Sequence, residues 1–281
     1  MRMSLSHFSS YPERCEIAPV LALMTGDMVH LAPVFGDAAN DPTLKVIDVD
    51  DAYVKAQMER GAFPSAHGFV TMSCRCTVCV PMRTLVQEFA ENAGHRKVMQ
   101  RNAHLTVSVH DGVPSYEATG SFEHARLHHD YMHFRFPLSS DTPHDVQAAN
   151  EWLADMATYP GMAPHYIDMR DDTGTLRGSA VFHTAGKISY GTGFFYDPAL
   201  RADYIGLALS LATLRHLRQE GFEHQYLGAV TRLPSPFSWK DKFTPMDLLL
   251  DGRWQRYASK AEFRPLRLEK SQAYPAPLIR F

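Results

Sequence analysis

Between Ile188 and Pro245 the spacing of apolar and polar positions lays out a strand, a turn, a helix, a second strand and a basic loop. Ile188 to Tyr196 carries β-branched and aromatic residues, and Gly191 and Gly193 within it mark a bulge or a close backbone approach. Asp197-Pro198 ends that strand and turns the chain. Asp203 is the expected N-cap of a helix on which Leu207, Leu211 and Leu214 recur at i, i+4 and i+7. Gly221 stands where a left-handed C-cap belongs. Tyr226, Leu227 and Val230 form the next strand, and a Pro-broken loop with Lys240 and Lys242 follows. A strand–helix–strand unit calls for a parallel, right-handed crossover.

The rest of the chain sorts by the same rules. Residues 1–45 are short apolar pieces broken by prolines, with a strand–turn–strand over Leu21 to Leu31. Asp50 to Arg60 is a short helix ended by Gly61. Phe89 to Val98 predicts a helix with Arg96, Lys97 and Arg101 near one side, and Leu105 to Val109 a strand. From Ser121 to Arg135 the sequence is aromatic and His-rich. His124/His128 and His129/His133 have i, i+4 spacing, and the expectation is partly exposed histidines on a helix packed by its aromatics. No acidic partner at metalloprotease spacing points to zinc there. Val146 to Met156 is an amphipathic helix closed by Pro160-Gly161. His165 to Met169 and Gly178 to Thr184 are strands around a turn at Asp171 to Gly174, and Leu248 to Leu250 is a last strand.

Composition narrows the class only modestly. The 281 residues suffice for one large core or two medium ones, and 45% hydrophobic with 21% charged is ordinary for a globular protein. Net charge is −3 but uneven: residues 1–60 hold 5 Lys/Arg against 9 Asp/Glu, and residues 231–270 hold 9 against 5. A basic C-terminal face is compatible with nucleic acid and equally with a solvated surface. No apolar run approaches the roughly 20 residues of a membrane span, and the N-terminus lacks a signal-peptide core, so the expectation is a cytoplasmic chain without a membrane partner. Of four cysteines, Cys74, Cys76 and Cys79 crowd into C-x-C-x-x-C, too close to pair without strain. They read as buried thiols or as metal or iron–sulfur ligands, with Cys15 as the natural fourth.

Several short motifs stand in an order that resembles a known family. They are Phe195-Tyr196-Asp197-Pro198, a helix opening on Gly206, Tyr226-Leu227-Gly228, Lys240 before Phe243 and Pro245, and Asp251-Gly252 with Trp254. Upstream stand Gly61-Ala62-Phe63, Cys79-Val80-Pro81-Met82-Arg83 and the basic run from His95 to Arg101. Together these resemble the aminoacyl-tRNA–protein transferases, the arginyl and leucyl transferases that charge protein N-termini. The chain departs from that pattern in its Cys74–Cys76 spacing, in Ala229-Val230-Thr231 after YLG, and in Phe136 after Arg135.

The resemblance implies an α+β fold: a GNAT-like (N-acetyltransferase-like) mixed sheet with flanking helices in a C-terminal lobe, residues 131–281, and a Cys-containing N-terminal lobe, residues 1–130. It implies transfer of an amino acid, arginine or leucine-like, from charged tRNA to a protein, peptide or small-molecule amine. Such transfer requires no cofactor, because the ester is already activated; positioning, amine deprotonation and oxyanion stabilisation remain. The residues it points to are Tyr196, Tyr226, Lys240 and Asp197 for catalysis, with Tyr196 and Tyr226 flanking a pocket floored by the start of the Ile205–Glu220 helix. Arg83, Arg96, Arg101 and Lys240 would meet tRNA, and Arg135, Gly206 and Trp239 the substrate. Cys15, Cys74, Cys76 and Cys79 would hold an iron–sulfur cluster or zinc. Two other readings stand beside this one. The first is an acyl-CoA-dependent N-acyltransferase, against which Asp203 speaks by repelling a pyrophosphate. The second is a non-catalytic metal- or RNA-binding adaptor.

Overall fold

The computed structural model describes residues 49–66, 68–70, 79–135, 145–232 and 238–266. The strand–turn–strand expected at Leu21 to Leu31 lies outside them. The helices are α1 (Asp51–Glu59), α2 (Ala93–Arg101), α3 (Tyr116–Thr119), α4 (Glu123–Arg135), α5 (Val146–Asp155), α6 (Ile205–Gln219) and α7 (Lys260–Phe263). A two-stranded hairpin, β1 (Phe63–Ser65) and β2 (Gly68–Val70), stands apart from the main sheet. That sheet holds β3 (Cys79–Leu85), β4 (Thr106–Asp111), β5 (Ala163–Arg170), β6 (Leu176–Ala185), β7 (Ile188–Tyr196), β8 (His224–Thr231), β9 (Met246–Leu250) and β10 (Arg253–Tyr257).

Its eight strands run in the order β10-β9-β3-β8-β7-β6-β5-β4. All neighbours are antiparallel except β7 and β8, which are parallel and joined through α6 as the crossover rule requires. The expected α+β architecture with one large mixed sheet is therefore observed. β3 and β4 come from before residue 130, and β3 is inserted between β8 and β9.

Alternation along the strands builds the core on two faces. On one face Ala180 and Phe182 of β6 and Ile167 and Met169 of β5 pack with α6. That helix is buried on most of its circumference, from Ile205 through Leu209 and Leu211 to Leu217. Gly178 leaves the space that Leu209 fills, since a Cβ there would stand 2.9 Å from its Cδ1. On the other face Val181 and Phe195 pack with α4 and α5, while Ala185, Ile188, Tyr190 and Tyr226 pack with α1 and the small hairpin.

Three expectations need correction. The helix after Phe89 begins at Ala93, because Asn92 and His95 form a reciprocal capping box while Phe89 turns into the core. Asp203 does not cap α6. Tyr204 holds that position at φ +58° with no side-chain cap, and Asp203 sits in the preceding 3₁₀ turn, Pro198–Asp203. On α4, His124 and His128 are buried rather than partly exposed. His124 Nε2 lies 2.9 Å from Asp168 Oδ1, and His128 stacks on Trp152 at 4.4 Å.

Candidate functional site

β7 and β8 pair only over Ile188–Tyr190 and His224–Tyr226, and beyond that the two strands part. The fork is prepared on both strands. β7 carries the bulge that its glycines announced: Gly193 pairs with Val181 and Gly191 with Phe182, leaving Thr192 as the extra residue. On β8, Ala229 faces Pro81 and Tyr226 faces Arg83, so Leu227 and Gly228 stand opposite Met82 alone. Gly228 adopts φ +71°, a conformation that favours glycine.

The two tyrosines expected to flank one pocket do not converge. Tyr226 pairs with Tyr190, six residues before Tyr196, which separates them by roughly 20 Å along the strands. Tyr226 instead belongs to a buried polar cluster. Arg83 Nη1 donates to Tyr226 Oη at 3.1 Å and to Glu59 Oε1 at 2.6 Å, and Arg83 Nε donates to Asp247 Oδ2 at 2.9 Å. Tyr226 Oη donates to Glu59 Oε1 at 3.1 Å, and the guanidinium lies 4.5 Å over Trp254. Burial holds the Tyr226 phenol far above its usual range, so it stays un-ionised at neutral pH. Through Nε, Nη1 and the face of its guanidinium, Arg83 ties α1, β8, β9 and β10 to β3.

Tyr196 closes the other end of β7 in an aromatic cluster with Tyr131, whose ring centroid is 4.8 Å away, and Phe194. Arg135, at the end of α4, interacts with Tyr131 there. Gly206 is required by this packing: a Cβ would meet Phe194 at 2.8 Å and Tyr196 at 2.9 Å. On the Gly206 side the start of α6 is thus covered by rings. Trp239 packs edge-on against Phe194 at 5.2 Å and Phe243 at 5.5 Å. Asp197 is held as a turn anchor, its Oδ2 accepting from Arg177 at 2.7 Å and its Oδ1 from Ala199 N at 2.9 Å.

Lys240 is committed to the fork itself. Its Nζ donates to the carbonyls of Leu227 at 2.6 Å and Ala229 at 2.9 Å, on either side of Gly228. Burial pushes its pKa down to about 8, with Cys79 acting in the opposite sense. Cys15, Cys74 and Cys76 lie outside the described residues, as does Phe136. Among the described residues no group of three or more His, Cys, Asp or Glu is arranged to hold a metal ion, and no helix is long and apolar enough to cross a membrane.

An open basic groove of about 460 Å³ lies where α2, the turn before α6 and the segment after Ser238 meet. Lys97 and Arg101 from α2, Lys242 and Lys260 line it, against one carboxylate, Asp241. Tyr204 stands in it, 52% exposed, with the Arg101 guanidinium 5.7 Å and the Lys242 ammonium 5.9 Å from its ring centre. Asn102 fixes the turn that presents Tyr204 by donating to Val98 O at 2.9 Å and Asp203 O at 2.8 Å. Of the four residues expected to meet tRNA, only Arg101 is here. Arg96, on the same helix, donates to Glu91 O at 2.6 Å and stays outside. Tyr204, Lys97, Lys242 and Lys260 were not singled out as site residues. The basic runs around Lys97 and Lys242 were visible, but an exposed tyrosine has no periodic signature.

Residues 123–250 match the family model described as arginine-tRNA-protein transferase, C terminus. Among curated proteins, the chain is 24% identical over 208 residues to an aspartate/glutamate leucyltransferase of Acinetobacter baumannii, covering 73% of each chain. It is 25% identical over 194 residues to one of Rhizobium meliloti, covering 66% of this chain and 71% of that one. Among solved structures, L-PGS from Bacillus licheniformis aligns with a TM-score of 0.42 at 13% identity, over 67% of this chain and 64% of that one. A GCN5-related glucosamine N-acetyltransferase region of a fungal multi-domain protein aligns at 0.39 and 13%, over 79% of this chain and 24% of that one. The alignment spans less than two thirds of either solved chain. The motifs on β3, β7 and β8, the matched C-terminal region and these relatives together show that the chain resembles the aminoacyl-tRNA–protein transferases.

Proposed function

We propose that this chain is an aminoacyltransferase that moves an amino acid from a charged tRNA to the amine of a protein or peptide N-terminus. Leucine or arginine is the group transferred, in keeping with the family model and the leucyltransferase relatives. The observation that carries the reading is the basic, tyrosine-bearing groove beside the first turn of α6, next to the fork of β7 and β8. In this reading β7, α6 and β8 act as the crossover of an N-acetyltransferase-like core.

The chemistry assigns work to each part. The cations of the groove neutralise phosphates at the tRNA 3′ end, and the Tyr204 ring stacks on a base, an interaction that single-strand binders use at about 1–3 kcal/mol per base. With the nucleotide held there, the aminoacyl ester reaches toward the fork, where β7 and β8 no longer pair with each other. Proximity does most of the rest, because an activated ester and an amine held in contact need little further machinery. Lys240 keeps the fork in shape through Leu227 and Ala229.

The test is incubation with a mixture of charged tRNAs and peptides beginning with Asp, Glu or Ala, read by mass spectrometry. Addition of one amino acid to a peptide N-terminus is the expected result, with acidic starts compared against Ala for selectivity. Saturable binding of coenzyme A with no addition from any charged tRNA would replace the reading by an acyl-CoA-dependent one.

A further inference from the structure

We infer that Thr192, held by His183, is the catalytic residue of this chain that receives the acceptor's amine, an assignment that rests on the transferase reading above. Thr192 is the extra residue of the β7 bulge, two positions beyond the last pairing of β7 with β8, so it stands at the mouth of the fork. It is half-buried, while His183 behind it is fully buried at 0% exposure. The flanking glycines leave room at this point: a Cβ on Gly193 would touch only Trp152, at 3.6 Å, and one on Gly191 would collide with Leu227 of β8 at 2.9 Å. Glycine at 191 is what lets β7 lie this close to Leu227 of β8 just before Thr192.

The hydrogen-bond arrangement decides what that hydroxyl can do. His183 Nε2 lies 2.8 Å from Met156 O, a carbonyl that only accepts, so Nε2 carries the proton. The other ring nitrogen, Nδ1, is then an acceptor, and it lies 2.7 Å from Thr192 Oγ1. Thr192 must donate its proton inward. Its oxygen is left to accept from outside, and an amine or ammonium N–H is the donor that fits; an ester carbonyl is not. The ring is further fixed by Tyr159, stacked at 4.3 Å.

His183 itself is a positioning residue and not the base. Burial pushes its pKa down to about 4, so it stays neutral where an amine reacts and would hold a transferred proton poorly. The acceptor ammonium gives one proton to solvent. Its nitrogen then bonds to the ester carbonyl carbon, the bond from that carbon to the ribose oxygen breaks, and the second N–H proton leaves with the ribose hydroxyl. Thr192 Oγ1 orients the nitrogen throughout by accepting from it.

Steady-state transfer from charged tRNA to a peptide acceptor, between about pH 6 and 9, tests this with Thr192→Val, which keeps the shape and removes the hydroxyl. The expected result is a fall in kcat of about tenfold to a hundredfold, with the KM for charged tRNA and the shape of the pH profile unchanged and the melting temperature somewhat lowered, because buried His183 Nδ1 loses its donor. Thr192→Ser should restore most of the rate. His183→Gln, which can accept from Thr192 and donate to Met156 O, should retain more activity than Thr192→Val. A Thr192→Val enzyme within about twofold of wild type overturns the assignment. So does one whose loss appears as a raised tRNA KM, or a Thr192→Ser enzyme that regains the melting temperature without regaining the rate, since either marks a structural role. Wild-type protein that binds charged tRNA but transfers to no amine overturns the transferase reading instead.

Discussion

Lys240 Nζ sits against two main-chain carbonyls, so charge reversal there does more than remove a cation. A carboxylate from Lys240→Glu would face the oxygens of Leu227 and Ala229 with no donor between them. The expected cost is at least about 3 kcal/mol, read as a lower urea midpoint in the absence of any tRNA. Motif context favoured a tRNA contact for this lysine, and its partners instead make it part of the β8 irregularity. Arg83 follows the same course. A sequence shows that an arginine follows Cys79-Val80-Pro81, but not that Glu59, Asp247 and Tyr226 close around it from three other elements. Thr192 and His183 went unremarked for a related reason, since their meaning comes from a 2.7 Å contact across a bulge.

At the scale of elements, α2 and the turn before α6 act as one basic unit, and salt should reveal it. Each phosphate neutralised releases counterions, so Lys97→Ala or Lys242→Ala is expected to make the plot of log affinity for tRNA against log salt shallower by about one. Arg96→Ala, outside the groove, should leave the slope unchanged. Elements were the most legible level of this chain. β7, α6 and β8 were readable because their apolar periods are long and their punctuation is clear: Gly191 and Gly193 at the bulge, Gly221 at φ +75° after α6. The start of α2 was misread because Phe89 continues the apolar pattern although Asn92 sets the cap. β10 was missed because Arg253 to Tyr257 is exposed for most of its length and carries no apolar alternation strong enough to declare a strand.

For the whole molecule, buried histidines set a pH limit. Burial lowers the pKa of His183, His95, His216 and His224, so the unfolded chain takes up protons before the native one does. The stability they contribute is complete above about pH 6.5 and is lost as the pH falls toward the native values. For His183 that window runs from 6.5 to about 4, on the order of 3 kcal/mol. Urea midpoints measured at pH 7 and pH 4.5 should therefore differ, and His183→Gln should narrow the gap. Equal gaps in wild type and variant would exclude His183 as a source.

β3 stands between β8 and β9, and its Arg83 meets Asp247 across 164 residues of chain. During synthesis this strand leaves the ribosome long before either neighbour exists, so the centre of the sheet is completed only when the last strands arrive. Contacts of such sequence separation slow folding and leave two strand edges open while they wait. A fragment starting after Leu85 would keep the whole family-matched region, residues 123–250, yet present β8 and β9 as bare edges facing an empty lane. It should aggregate when expressed alone and be rescued by supplying residues 49–85 as a separate chain, which makes the site a late product of assembly and exposes it to failure whenever translation stops short of β9.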